Sequence, residues 1–277
     1  MQLHDATFPY LSAILVSCVV GLLAILCIPE ERKSWIKWVS AVSSGMTLVL
    51  SIAVFFAYDK SLGGLQFVEK VAWVPALGIQ YFNGADGFNL PNLLLTGIVF
   101  FTGVLTMWEL ELRVKEFFAL YFLMVAGVFG LFMSFDLFFI FIWYDVSLFP
   151  MYLLIAVWGT TRKEYGAMKL TLYLLAGSAL ILPAIVYLFV KAGLSTFDLI
   201  RLMQPGVFTA EEQIFAFLPL YLGFGILAGV WPFHTWSPVG HVAAPHGVSM
   251  VHAGVLMKIG AFGVLRVAIC LCPEGWK

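Results

Sequence analysis

Apolar stretches alternate with short polar segments along almost the whole 277-residue sequence. A helix that crosses the hydrocarbon core of a bilayer needs about 20 mostly apolar residues. The pattern therefore predicts an all-α polytopic membrane protein with about eight transmembrane spans. These spans are expected at residues 8–28, 36–57, 88–108, 117–134, 136–157, 168–190, 213–231 and 246–270.

Two connections between the spans are long, at residues 58–87 and 191–212. The first contains Asn83-Gly84, a pair that is typical of turns. Both connections are expected to form short surface segments that lie over the outer ends of the helices.

Helix 7 is predicted to be broken. The segment that follows span 7 contains four residues that interrupt helices, Pro232, Pro238, Gly240 and Pro245. Irregular backbone at membrane depth is tolerated only where it is buried in protein or lines a wet cavity. Broken helices of this kind form ion and substrate sites in transporters. The alternative is an ordinary loop between spans 7 and 8.

Composition supports the membrane assignment, with 62% hydrophobic and 11% charged residues. Soluble domains are about 25% charged. The formal net charge of −1 gives no reason to expect nucleic acid as a partner. The sequence contains no Walker motif, no dinucleotide-binding glycine motif and no iron–sulfur cysteine set. Energy for transport would therefore come from an ion gradient or from a partner subunit. The four cysteines are expected to be free thiols.

Basic residues predict the orientation, because they favour the cytoplasmic side of a membrane. Eight follow spans 1, 3 and 5, whereas five lie on the opposite side or at the end of the chain. The sequence is thus expected to be a multi-pass protein of a bacterial or archaeal cytoplasmic membrane, with its N-terminus outside.

Two charged residues interrupt spans that are otherwise apolar, Asp145 in span 5 and Lys258 in span 8. A charge at the bilayer centre costs roughly 2.5–3.5 kcal/mol on insertion scales, so such residues usually have a function. Asp145 is expected to be either neutral or ionised and paired with a cation. A buried lysine can also gain and lose a proton. The structural alternatives are a static ion pair for Asp145 and a lysine that fills a polar hole.

Further candidates for proton transfer are Lys169, which could turn inward or extend to the interface, and the histidines His234, His241 and His252. Imidazole titrates near neutral pH, which suits a relay. On an ideal helix His252 lies about 9 Å along the axis and about 240° around it from Lys258, so the two side chains would need water or a third group between them. The histidine spacing does not match a zinc or haem site, and metal binding is not predicted.

These residues lie in distinctive stretches of sequence, which read FFALYFLMVAGVFGLFMSFDLFFIFIWYDVSLFPMYLLIAVWG, KEYGAMKLTLYLLAGS and WPFHTWSPVGHVAAPHGVSMVHAGVLMKIGAFGVLR. Together with GADGFNLPNLLLTG, they resemble the antiporter-like membrane subunits of respiratory complex I. The similarity covers roughly residues 80–268, and the first two helices are similar only in pattern.

The resemblance implies three parts: a three-helix segment at 1–116, a five-helix half-channel repeat of helices 4–8 at 117–270, and a tail at 271–277. Asp145, Lys169 and Lys258 match the family's acidic residue and two lysines, and His234 and His241 match histidines of the broken helix. The family's helix-7 lysine aligns with Leu227, so Asp145 is expected to pair with Lys169 or to titrate differently.

The function implied is proton translocation in a complex-I-like NADH:quinone oxidoreductase. This chain would hold no cofactor, and NADH, FMN, iron–sulfur clusters and quinone would belong to partner subunits. Family members continue through a second, inverted repeat, so another chain is expected to supply that half-channel. The alternatives are a subunit of a cation/proton antiporter or membrane-bound hydrogenase assembly, and a scaffold that does not pump.

Overall fold

The computed structural model describes residues 3–5, 8–193 and 195–277. Its three strands are β1 (Leu3–Asp5), β2 (Leu65–Val74) and β3 (Ile79–Ala85). Its helices are α1 (Tyr10–Cys27), α2 (Lys33–Ala57), α3 (Leu90–Thr106), α4 (Val114–Met133), α5 (Leu137–Trp158), α6 (Lys163–Ala192), α7 (Leu199–Leu202), α8 (Ala210–Ala228), α9 (Trp236–Ala243), α10 (His246–Ile269) and α11 (Pro273–Trp276).

The predicted polytopic helical fold is confirmed. Among the described residues, seven helical stretches are long and apolar enough to cross a membrane: α1, α2, α4, α5, α6, the α8–α9 stretch and α10. The third predicted span corresponds to α3, a shorter apolar helix of 17 residues. Each predicted span therefore has a helix at its position.

Helix α4 lies at the centre of the bundle, and 83% of its most apolar stretch is buried. Two of its glycines allow α5 to approach closely. A Cβ atom at Gly127 would lie 2.8 Å from the Ser147 backbone nitrogen, and one at Gly130 would lie 2.3 Å from the Trp143 ring. Larger residues at either position would push α5 outward, so this contact fixes the helix that carries Asp145.

The connection 58–87 differs from the prediction, because it forms a β-hairpin. Strand β2 pairs with β3 in antiparallel orientation and with β1 in parallel orientation. Asn83 and Gly84, expected to form a turn, lie inside β3, and the chain reverses at Pro75–Leu77 instead. Gly84 serves close packing, since a Cβ atom there would lie 2.5 Å from Leu65 Cδ1.

The hairpin caps the ends of several helices on one side of the bundle. The Glu69 carboxylate accepts hydrogen bonds from the backbone nitrogens of Leu11 and Ser12 at the start of α1. On β3, the backbone nitrogen of Gln80 donates to Asp136, the residue before α5. These contacts satisfy backbone and carboxylate groups that helix ends otherwise leave unpaired.

The predicted break in helix 7 is present, and it separates α8 from α9, the two halves of that predicted helix. Helix α8 ends at Ala228, the following Gly229 has a φ of +74° in the left-handed region, and a short 3₁₀ turn at Phe233–Thr235 leads into α9. Helix α10 is also irregular, since it has π-helical turns at His252–Leu256 and Val264–Ile269. The angular relation between His252 and Lys258 therefore departs from that of an ideal helix.

The tail packs against the bundle. Its short helix α11 lies against α8, where the Glu274 backbone nitrogen donates to Gln213 Oε1 at 3.0 Å. The four cysteines are free thiols, as expected.

A buried ion pair joins the start of α3 to α10. Arg266 Nη2 lies 2.5 Å from Asp86 Oδ2, and both side chains are almost fully buried. The Arg266 guanidinium also lies 5.0–5.5 Å from the ring centroids of Phe88, Phe135 and Phe262. Removing one member of such a pair leaves the other charge buried without a counter-charge, which costs about 3–5 kcal/mol.

We predict that Asp86→Asn lowers the midpoint of thermal unfolding in detergent substantially, because the buried Arg266 charge loses its partner. The control is Glu274→Gln, which breaks the exposed pair between Glu274 and Lys277 and should change the midpoint little. Equal midpoints for the two variants would show that the buried pair does not stabilise the fold.

Stability should also depend on pH through Asp136, just outside the membrane-spanning part of α5. Burial raises the pKa of Asp136 to about 6, against the opposing effect of three backbone N–H donors, at Gln80, Phe139 and Phe138. Because this pKa lies above that of the unfolded chain, folding is most favoured when Asp136 is protonated. Its contribution is complete below about pH 4 and is lost as the pH rises through about 6.

We therefore predict that Asp136→Asn gains stability relative to the unaltered protein as the pH rises from about 4 to about 7. The gain should be on the order of 2–3 kcal/mol. Thermal unfolding of both proteins in detergent across this range measures it, with Glu30→Gln in an exposed turn as the control. A difference between the two proteins that stays constant with pH would contradict the prediction.

Candidate functional site

Asp145 lies on α5, and its half-buried carboxylate faces α6. Ser178 Oγ donates a hydrogen bond to Asp145 Oδ1 at 2.8 Å. Among the described residues, no Lys, Arg or His nitrogen lies within 4.0 Å of this carboxylate. A hydroxyl group, and not a cation, is therefore the direct partner of Asp145.

Lys169 does not form the ion pair that was one of the two expectations for Asp145. Its side chain is half-buried on α6, and its Nζ lies 5.9 Å from the ring centroid of Tyr165, one turn earlier. Tyr165 itself is exposed. The ammonium group of Lys169 thus lies beside an aromatic ring at the surface.

A small cavity lies between α5, α6, α8 and α10. Its volume is about 10 Å³, which is close to the space that one water molecule needs. Its wall consists of Tyr144, Ser147, Leu148, Met151, Leu174, Leu227, His252 and Leu256. Leu227, at the position where the resemblance expects a lysine, is 2% exposed and contributes only apolar surface.

Two hydroxyl groups in the cavity wall donate to main-chain carbonyls. Tyr144 Oη donates to Leu174 O at 3.0 Å, and Ser147 Oγ donates to the Tyr144 carbonyl at 2.7 Å. Each hydroxyl oxygen keeps lone pairs that can accept a further hydrogen bond. A water in the cavity would thus have acceptors on α5 and a histidine ring on α10.

His252 is the polar group on the α10 side of the cavity, and it is fully buried. Its ring stacks on His241 with 4.1 Å between centroids and on Trp236 with 5.2 Å. Neither ring nitrogen has a hydrogen-bond partner among the described residues. His241 is better satisfied, because its Nδ1 lies 3.0 Å from Ser249 Oγ. Two stacked imidazoles disfavour a second positive charge, since like charges repel.

The same stack holds the broken helix in place. Trp236 and His241 lie on α9 and His252 lies on α10, so the three rings join these elements. Trp236 Nε1 also donates to Ile226 O near the end of α8, at 2.9 Å. The two halves of helix 7 are thereby tied to each other and to α10.

Lys258 and His234 lie on the surface of this chain. The Lys258 side chain is exposed, and its Nζ donates to Ala253 O at 3.0 Å, a carbonyl in the first π-helical turn. His234 is exposed in the 3₁₀ turn at the break. The structure thus brings His241 and His252 together and places Asp145 directly after Tyr144, a residue of the cavity wall, whereas Lys258, His234 and Lys169 do not line the cavity.

The exposed face around Lys258 is unsuited to hydrocarbon. Trp231 is 79% exposed at the break, and the irregular backbone of residues 230–235 is exposed beside it. The break lies close to Lys258 in the fold. Met257, the residue before Lys258, has its Sδ 3.3 Å from Ser237 Oγ, and its Cε contacts Gly229. Irregular backbone and an ammonium group at membrane depth require protein or water around them.

Two contributors were not identified from the sequence. Ser178 was missed because a serine in an apolar span commonly bonds its own helix, as Ser40, Ser44 and Ser51 of α2 do. Arg266 was missed although a charge inside span 8 was a visible signal. Among residues 3–5, 8–193 and 195–277, no group of three or more His, Cys, Asp or Glu side chains could hold a metal ion.

Two curated relatives are similar to this chain along almost its whole length. The chain is 33% identical to NAD(P)H-quinone oxidoreductase chain 4 of Gloeobacter violaceus over 96% of its own length and 50% of the relative's. It is 34% identical to NAD(P)H-quinone oxidoreductase chain 4 2 of Microcystis aeruginosa, over 97% of its own length and 49% of the relative's. The chain thus spans about half the length of the curated relatives that it matches.

Solved structures with the same fold include respiratory complex I from Thermus thermophilus, with a TM-score of 0.84 and 27% identity over 96% of this chain and 54% of the other. The archaeal membrane-bound sulfane sulfur reductase gives 0.80 at 19% identity, covering 96% of this chain and 42% of the other. The Mrp complex from Dietzia gives 0.73 at 23%, covering 96% and 28%. The last two similarities concern the fold alone.

The sequence family described as the transmembrane region of NADH:quinone oxidoreductase and Mrp antiporters matches residues 134–276, just over half of the chain. This region contains α5 to α11, and with them Asp145, Ser178, the cavity and the histidine stack. The chain therefore belongs to the NADH:quinone oxidoreductase/Mrp antiporter family of membrane proteins.

Proposed function

We propose that this chain is a proton-translocating subunit in the membrane arm of a complex-I-like NADH:quinone oxidoreductase. The observation that carries the proposal is the Asp145–Ser178 pair inside a membrane-spanning helix pair, beside a cavity that is lined by His252. A titratable group at this depth is costly, so its presence favours a functional role. The relatives named as NAD(P)H-quinone oxidoreductase chain 4 support the choice of complex.

The proposed chemistry is transfer of a proton between Asp145, a water and the histidine stack. The carboxyl group binds or releases the proton, and Ser178 is a donor that can stabilise the carboxylate without adding charge. A water in the cavity would connect the hydroxyls of α5 with His252. In this scheme Lys169, His234 and Lys258 extend the route toward the surfaces of the chain.

Redox chemistry would take place elsewhere in the complex. NADH, FMN, iron–sulfur clusters and quinone would bind to partner subunits, and electron transfer there would change the protonation of Asp145 through the assembly. The other partners would be membrane-arm subunits, and the bilayer would be the surroundings of the lipid-facing helices.

The proposed half-channel comprises residues 117–270, and a second half-channel would cover the face that contains Lys258. This assignment rests on the exposed ammonium group and the exposed break in helix 7. The proposed location is a bacterial or archaeal cytoplasmic membrane, and the excess of basic residues after spans 1, 3 and 5 supports an orientation with the N-terminus outside.

A second candidate function is a scaffold that completes the membrane arm without pumping. The specific observation that favours it is Leu227, which supplies no charge at the cavity where the family resemblance expects a lysine. A role in a cation/proton antiporter assembly is supported only by the shared fold of the Mrp complex.

We predict that Asp145→Asn abolishes the redox-coupled proton transfer that this subunit contributes, while the complex still assembles. The amide keeps the shape and can accept from Ser178, but it cannot titrate. The measurement is the ratio of protons translocated to electrons transferred, in vesicles that contain the purified complex.

The matched control is Asp136→Asn, which neutralises a buried carboxylate at the outer end of the same helix and should leave the ratio unchanged. An assembled Asp145→Asn complex that translocates protons at the original ratio would support the scaffold function instead.

We further predict that the Lys258 face is covered by a second antiporter-like segment in the intact complex. A photo-crosslinking amino acid at Ala261, which is exposed on α10 near Lys258, should form adducts with such a segment. The same amino acid at Val16, exposed on α1, gives the background. Adducts at position 261 that contain only lipid would contradict this proposal.

A further inference from the structure

An open groove of about 310 Å³ lies between α6 and α9, at the membrane boundary where α6 begins. Thr161, Arg162 and Tyr165 form one wall. The other wall is apolar and consists of residues 238, 239 and 242 of α9. Among the residues that the structure describes, no acidic side chain lines this groove. None of the residues that line it takes part in the proton transfer proposed above.

The positive charge at the groove is unpaired. Within the described part of the chain, no carboxylate oxygen lies within 4.0 Å of the Arg162 guanidinium. Arg113 provides a comparison, because it precedes α4 in the same left-handed conformation, with a φ of 48° against 47° for Arg162. The Arg113 guanidinium, however, lies 3.3 Å from Glu116. Arg162 therefore keeps its donors available for a ligand.

A second cation lies near the same wall. Lys169 Nζ is 5.9 Å from the ring centroid of Tyr165, which itself lines the groove. Tyrosine and basic residues at the ends of transmembrane helices are typical of the headgroup level of a bilayer. The groove thus combines an apolar wall at membrane depth with a positive opening at the interface.

We propose that this groove binds one anionic phospholipid. The phosphate group would accept hydrogen bonds from the Arg162 guanidinium, whose planar fork matches phosphate oxygens. An acyl chain would lie along Pro238, Val239 and Val242 of α9. A lipid fits better than free phosphate, because the apolar wall would otherwise have no occupant inside the bilayer.

The bound lipid would stabilise the position of α9. This helix is the second half of the broken helix and carries His241 of the histidine stack. Its end is held to the α5–α6 connection by a hydrogen bond from Thr160 N to Ala243 O at 2.9 Å. A lipid that touches both α6 and α9 would add a second contact across the same boundary.

Photo-crosslinking with the intact complex in detergent tests the proposal. The probes are phosphatidylglycerol and phosphatidylcholine, each with a diazirine in the acyl chain, and labelled peptides are identified by mass spectrometry. Phosphatidylglycerol should label peptides that contain residues 161–165 and 238–242 more strongly than phosphatidylcholine does. Arg162→Gln should reduce this labelling about fivefold, which corresponds to the loss of one basic residue at a membrane surface.

Three further variants separate the possible causes. Arg162→Lys should retain most of the labelling, because it keeps the charge. Val242→Phe should reduce it with Arg162 unchanged, because the ring fills the groove. Arg32→Gln removes an exposed arginine before α2, at the same side of the membrane, and should have no effect.

Four results would overturn the proposal: equal labelling by both lipids, unchanged labelling in assembled Arg162→Gln and Val242→Phe complexes, an equal loss in Arg32→Gln, or labelling confined to partner chains.

Discussion

The cost of placing a charge or an unpaired polar group in hydrocarbon determines how this chain is built. Every such group at membrane depth needs a partner from the protein or from water. In α2, the hydroxyls of Ser40, Ser44 and Ser51 bond carbonyls of their own helix. Arg266 has Asp86 and three aromatic rings around it. The half-buried Asp145 has one hydroxyl donor, so it is less compensated than the buried carboxylates of Asp86, Asp136 and Asp198. That limited compensation suits a group that must change its charge.

The packing of the central helices supports this arrangement. Gly127 and Gly130 let α5 lie close to α4, and α6 then presents Ser178 to Asp145. On the other side of the cavity, the stack of Trp236, His241 and His252 joins both halves of the broken helix to α10. The site is therefore held by elements on all sides, while its centre keeps room for about one water. Lys258 lies outside this site, and no carboxylate among the described residues of this chain pairs with its ammonium group.

Much of the fold could be predicted from the sequence, because a long apolar stretch has few alternatives to a helix in a bilayer. Helix 7 was recognisable from its prolines, and Asp145 from its isolation among apolar residues. The β-hairpin was missed because Asn83-Gly84 suggested a turn, whereas Gly84 is needed for packing on Leu65. The partner of Asp145 was missed because a serine gives a weaker signal than a lysine. The exposure of Lys258 depends on helix rotation, and the π-helical turns of α10 change that rotation without an obvious sequence mark.

The central claim is that Asp145 changes its protonation state when the complex turns over. Redox-induced infrared difference spectroscopy of the complex tests it directly, because a protonated carboxyl group has a carbonyl stretch that is distinct from that of a carboxylate. The account predicts a carboxyl band that appears or disappears on reduction of the complex and is absent from Asp145→Asn. A spectrum in which all carboxyl bands persist in the assembled variant would contradict the account and would leave Asp145 as a structural residue.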